Sequence, residues 1–210
     1  CLLSLFASAP IPWNLVEKCL LKNESQEKGI IKQWFPTFLR LWLLCMPRKA
    51  ANVLDLNTWK HKRDDKLINF SLLQYLGGSN YGLHPLIRQY FRNKFAGFCS
   101  SVEEMKYSIC KVIAESAREI PYTITVQQVS EVEVYIPHIV EVAENLHEFL
   151  SDDDLIFPFV GLGRFYQGQG LYLQAQPWYE TVKEMAEQRF GDEHPSVATS
   201  LHNLAYLYKS

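Results

Sequence analysis

The sequence predicts a mainly α-helical chain, a helical module carrying one small β-hairpin followed by an α-α superhelix of stacked helical hairpins. Three observations predict it. Apolar residues recur at three and four positions through Val102–Glu119, at Met105, Ile109, Val112, Ile113 and Ala117. Gly77-Gly78-Ser79 makes a tight break, with Tyr81 and Leu83 alternating beyond it. Leu162-Gly163-Arg164-Phe165-Tyr166 returns as Leu204-Ala205-Tyr206-Leu207-Tyr208, 42 residues later.

From the N-terminal end, Cys1 to Ala7 reads as the end of an apolar helix, Ala9-Pro10-Ile11-Pro12-Trp13 as a turn, and Trp13 to Leu21 as an amphipathic helix. Asp64 to Leu76 starts as a helix on Leu67, Ile68, Phe70, Leu72, Leu73 and Leu76. A short strand around Tyr81–Leu83 pairs with the chain before the glycine turn. Pro85 opens a helix over Leu86 to Phe95, with Ile87, Tyr90 and Phe91 inward and Arg88, Arg92 and Lys94 outward. Three helices, a hairpin and a helix give a winged-helix outline for residues 1–98.

An insert at about 23–54 interrupts that outline. Trp34, Phe35, Phe38, Leu39, Trp42 and Leu43 make one helical stripe there, read as core or a partner-facing patch. The apolar run Trp34–Met46 has 13 positions, against the roughly 20 that a bilayer span needs. Lys60-His61-Lys62-Arg63 reads as a solvated basic face. The helix that would enter a DNA groove carries Asp64 and Asp65 against Lys66 alone, which counts against DNA binding, the third reading of this module.

Residues 99–150 read as a helical connector, broken at Ile120-Pro121 and again near Ile136-Pro137. Ser151-Asp152-Asp153-Asp154 is expected to cap the next helix; a calcium loop would need alternating acids, a glycine and a closing Glu. From 151 to 210 the chain reads as one complete helical hairpin and part of a second. Phe159, Leu162 and Tyr166 share one face, and Gly163 and Ala205 are small where helices approach closely. Gly168 and Gly170 flank the turn. Ala175, Tyr179 and Val182 form the facing stripe, with Pro177 expected near the helix start, where a missing N–H matters little. Gly191 ends that helix. Pro195 opens the next, with Ser196 or Asp192 as its cap.

Composition sets limits. The chain has 210 residues, 48 % hydrophobic and 21 % charged, with a net charge of −2. No global field draws in nucleic acid or an anionic membrane. The five cysteines are an odd number without a C-x-x-C pair, which favours buried free thiols in a reducing, cytoplasmic setting over disulfides. No metal-ligand spacing and no Ser/His/Asp set stand out. Gly163-x4-Gly168 continues Gln169-Gly170 where a phosphate loop needs Gly-Lys-Ser/Thr. The chain opens on Cys1 and stops within a repeat, so a piece of something longer is expected.

Two resemblances extend this reading. Arg189-Phe-Gly-Asp-Glu-His-Pro-Ser-Val-Ala-Thr-Ser-Leu-His-Asn-Leu-Ala-Tyr-Leu-Tyr208 resembles the kinesin-light-chain type of tetratricopeptide repeat, a likeness covering about Leu155 to Ser210. It implies a superhelix whose inner groove holds a protein or peptide, with Asn203 at the family's groove position. Gly161 holds that position in the first unit. Arg164 and Lys209 are the accompanying candidate groove residues.

The segments Leu2-Leu-Ser-Leu-Phe-Ala-Ser-Ala-Pro-Ile-Pro-Trp-Asn-Leu-Val-Glu17, Ser71-Leu-Leu-Gln-Tyr75 and Tyr81-Gly-Leu-His-Pro-Leu-Ile-Arg-Gln-Tyr-Phe91 look like the winged-helix part of bacterial NB-ARC, or STAND-type, signalling ATPases. That likeness implies a nucleotide-switched parent, open to oligomerisation, in which His84 contacts the phosphate of bound ADP. Leu83-His84-Pro85 stands where the family has Met-His-Asp. The alternative is that His84 merely bonds a backbone carbonyl at the helix start. The family's phosphate loop would lie upstream, so ADP or ATP is expected of the intact parent. For these residues themselves the expectation is no cofactor, no metal and no catalysis.

Overall fold

The computed structural model describes residues 2–21, 60–61, 63–95 and 99–209. The predicted insert and its Trp34–Leu43 stripe lie outside the described residues. In chain order come α1 (Leu2–Leu5), β1 (Ile11–Pro12), α2 (13–21), a wide π-helical turn (Arg63–Ile68), β2 (Leu73–Gly77), β3 (Asn80–Leu83), α3 (Pro85–Phe95) and α4 (Cys99–Arg118). Next come α5 (Val126–Glu133), α6 (Ile136–Glu141), two irregular turns (Val142–Leu146 and His147–Phe149), α7 (Phe157–Gly168), α8 (Tyr172–Phe190) and α9 (Pro195–Lys209). The chain is mainly helical, as its apolar spacing predicts. One buried cluster runs from Phe6 through Ile113, Leu162 and Tyr179 to Leu207. No helix among the described residues is long and apolar enough to cross a membrane.

The three strands form an antiparallel sheet in the order β1-β3-β2. The predicted hairpin pairs Leu73 with Leu83 and Tyr75 with Tyr81. One expectation about the sheet needs correction. Residues 9–13 are not simply a turn, because Ile11 and Pro12 pair with Tyr81 and Asn80 as an edge strand. Proline is tolerated there, since an edge residue has a side that need not donate. Asp64 to Leu76 starts as a helical turn and then gives way to the strand before the glycine turn, as expected. Coiling stops at Ile68, the chain turns through Ser71 at φ 55°, and from Leu73 its backbone groups find partners in β3.

Arg63 is not part of a solvated face. Its guanidinium lies 4.7 Å from the Trp13 ring and 4.8 Å from that of Tyr81, and it bonds Asp64 at 2.7 Å. On α3 the assignment of faces also changes: Arg88 is only 6 % exposed, whereas Tyr90 is 53 % exposed. Arg88 turns inward because the carbonyl of Phe6 accepts its Nη1. Arg92 donates to the Ser4 carbonyl at 2.9 Å and pairs with Glu141 at 2.7 Å.

The same N-terminal segment is held from α6. His138 Nδ1 accepts the Ala7 N–H at 3.2 Å, and its Nε2 donates to the Pro10 carbonyl at 2.9 Å. An amide donor at one nitrogen and a carbonyl at the other require the neutral Nε2–H tautomer. Burial agrees, pushing the imidazole pKa down to about 4. Residues 4–10 are thus fastened by α3 on one side and α6 on the other.

The helical hairpin at the C-terminal end forms as predicted. Gly163 on α7 faces Tyr179 on α8, where an added Cβ would lie 2.3 Å from the ring. The Tyr179 hydroxyl donates to Gln167 at 3.0 Å, satisfying a buried phenol. Gly191, at φ 82°, ends α8. Pro177 is farther in than predicted: α8 starts at Tyr172, so Pro177 stands beyond the first turn.

The three aspartates do not cap α7, which starts at Phe157 with no side-chain cap. Instead Asp152 pairs with Arg189 at 2.6 Å, and Asp154 accepts from Ser151 at 2.8 Å and Arg118 at 3.5 Å. Nor do Ser196 or Asp192 cap α9; His194 Nδ1 accepts the Ser196 N–H at 3.2 Å. Among the cysteines with described side chains, Cys19 and Cys110 are buried thiols, and burial raises the Cys110 pKa to about 12.

Candidate functional site

The hairpin does not stand alone. α4 lies along α7, and Gly161 makes this approach close: a Cβ there would meet the Ala117 carbonyl at 2.8 Å and the Ala117 Cβ at 2.9 Å. α4 ends at Arg118, just ahead of Ile120-Pro121, since proline cannot donate into a further turn. The chain then crosses the C-terminal end of α7 before Thr125 caps α5 with a reciprocal bond to Gln128.

That crossing loop meets two of the three predicted groove residues. Tyr122 places its ring 3.8 Å from the Arg164 guanidinium of α7. Its hydroxyl donates to Asn203 Oδ1 of α9 at 3.2 Å, and its ring meets Tyr206 edge-on at 6.4 Å. Arg164 Nη1 also donates to the Ile120 carbonyl at 3.3 Å. Ile124 packs so tightly over Gly168 that a Cβ there would lie 2.6 Å from its Cγ2.

Burial distinguishes the participants. Asn203 is 1 % exposed, covered by Tyr122, which is itself 44 % exposed. Asn203 is therefore not an open groove residue: the chain's own tyrosine lies over it. Asn203 Nδ2 and Arg164 Nε are buried without a hydrogen-bond partner among the described residues. Such donors are costly when unmatched, roughly 1–3 kcal/mol each. The Tyr179 hydroxyl lies close enough for Arg164 to lower its pKa, although burial dominates and raises it.

Lys209 does not belong to this group. It follows Asn203 by six residues on α9, which turns it about 120° around the axis. Gly161, the first-unit counterpart of Asn203, faces α4 rather than a groove. Tyr122 carries no periodic signal, because it sits in a loop after a proline. The clue available was its position, one residue past a helix break and ahead of a repeat.

His84 stands elsewhere, exposed, between β3 and α3. Its Nδ1 accepts the Leu86 N–H at 3.3 Å, the same cap that His194 gives α9. In the neutral ring this leaves Nε2–H as the donor. Among the described residues no three His, Cys, Asp or Glu side chains gather as a metal site.

α7 and α8 pack as one helical hairpin through Gly163, and α9 packs on α8; Ala205, expected at a close helix approach like Gly163, is instead exposed. Residues 156–210 match the model of the tetratricopeptide repeat. The match begins one residue before α7 and covers the hairpin and α9. No curated protein and no solved structure matches the chain. The tetratricopeptide stretch therefore supplies the frame on which Arg164 and Asn203 are placed, and the preceding connector supplies Tyr122.

Proposed function

We propose that the chain is a protein-binding scaffold whose tetratricopeptide face, at Arg164 and Asn203, takes an extended peptide. The observation that carries this reading is the pair of buried donors, Asn203 Nδ2 and Arg164 Nε, on adjacent repeat helices without acceptors among the described residues. A backbone in extended conformation offers carbonyl oxygens at regular intervals, the acceptors this pair lacks. The repeat match supports a binding role, since stacked helix pairs build extended surfaces.

The test is capture of immobilised random seven-residue peptides by the purified chain. Arg164→Ala and Asn203→Ala should each reduce capture with the melting temperature checked in parallel. Equal capture by all three proteins would place binding elsewhere.

A second reading rests on a separate observation. The β1-β3-β2 order, with His84 immediately after β3, supports the winged-helix part of a cytoplasmic STAND-type switch. In that setting the exposed His84 fits a phosphate contact in one respect, as its Nε2–H can donate while Nδ1 holds the helix start. ADP raising the melting temperature, with the rise lost in His84→Ala, would favour this reading. No rise would leave the scaffold reading alone.

A further inference from the structure

Tyr122 touches both candidate peptide-binding residues, yet it belongs to neither repeat helix. It comes from the connector between α4 and α5, and the loop around it is fixed at its ends rather than at the tyrosine. Ile120 is fully buried, and Ile124 is packed against α7. Between these anchors Tyr122 retains 44 % exposure, and among the described residues its hydroxyl bonds Asn203 alone.

We infer that Tyr122 is an internal occupant of the repeat face, and that an incoming peptide must displace it to reach Arg164 and Asn203. This rests on the peptide-binding reading above and adds its regulation. The phenol is a poor match for what it covers. It donates to Asn203 Oδ1, whereas the groups left unmatched are donors, Asn203 Nδ2 and Arg164 Nε. A peptide carbonyl supplies the missing acceptor, and the Arg164 guanidinium, now stacked on Tyr122, is exposed for it when the ring swings away. Movement is confined to one side chain, because both anchors of the loop can remain in place. A face that is open only part of the time binds with an apparent affinity reduced by that fraction.

The experiment uses the full chain against the same immobilised random heptapeptides. Tyr122→Ala removes the occupant at a partly exposed loop position; Tyr122→Phe keeps the ring and removes the hydroxyl. Tyr122→Ala should raise apparent affinity for captured peptides about tenfold, with Tyr122→Phe between it and the parent. The gain should vanish when Asn203→Ala is added to Tyr122→Ala. Equal affinity in parent and Tyr122→Ala, with capture still dependent on Arg164 and Asn203, overturns this inference and leaves the peptide-binding reading intact. Capture that depends on neither residue overturns both. Weaker capture by Tyr122→Ala at an unchanged melting temperature also overturns it, because Tyr122 would then be part of the binding surface.

Discussion

Gly163 and Tyr179 meet so closely that no methyl group fits between them, a Cβ on the glycine falling 2.3 Å from the phenol ring. The contact sets the spacing of α7 and α8. Alanine would ordinarily favour the helix by about 1 kcal/mol over glycine. Here overpacking of about 1–3 kcal/mol or more opposes it. Gly163→Ala should therefore lower stability in urea, and Tyr179→Leu should reduce that penalty in the double variant. Additive losses would show that the two sites do not touch in solution.

Arg63 joins α2 to the sheet by lying against Trp13 and Tyr81. Arg63→Ala should cost about 1–2 kcal/mol and change the Trp13 emission. Arg63→Lys should recover little, because an ammonium lacks the planar face that two rings can share. Full recovery by lysine would reduce the contact to simple charge.

His138 predicts acid sensitivity. Its folded-state pKa is about 4, below the ordinary 6.5, so between those values the unfolded chain binds the proton more readily. Stability is fully present above pH 6.5 and falls as pH drops toward 4, by up to about 3 kcal/mol. The measurement is unfolding free energy against pH for the parent and His138→Asn. The variant should show a shallower slope in that window, whatever its absolute stability. An unchanged slope would assign the acid response to other groups.

Pro177 stands inside α8, where its ring denies the Leu173 carbonyl a helical partner. Pro177→Ala restores a donor at an exposed position, so the melting temperature should rise, by an amount corresponding to about 1–3 kcal/mol. A fall would mean that the proline shapes a bend on which packing depends.

Most of the helical order was legible because buried faces impose a period. α2, α4 and the α7–α8 hairpin all follow from residues three and four apart, and Gly163 from the need for close approach. What periodicity does not register is a contact made by one residue from outside an element. Ile11 and Pro12 are too short a strand to alternate, and their partners lie some seventy residues away. Arg88 reads as a surface residue until the Phe6 carbonyl is brought beneath it. For the candidate site, the family likeness points to Asn203, and nothing in the periodicity points to Tyr122. Lys209, six residues past Asn203 on α9, is turned about 120° from it around the helix axis.

The close seating of α4 on α7 at Ala117 and Gly161 bears on where the chain can be cut. A border drawn by repeat pattern falls near residue 151, yet it would strip a close-packed glycine seam of its cover. The ties from Arg189 to the Leu150 carbonyl and from Arg118 to Asp154 and Phe157 cross the same line or reach back over it. A shortened version meant to stand by itself should begin upstream of Cys99, so that the buttress travels with the units it supports.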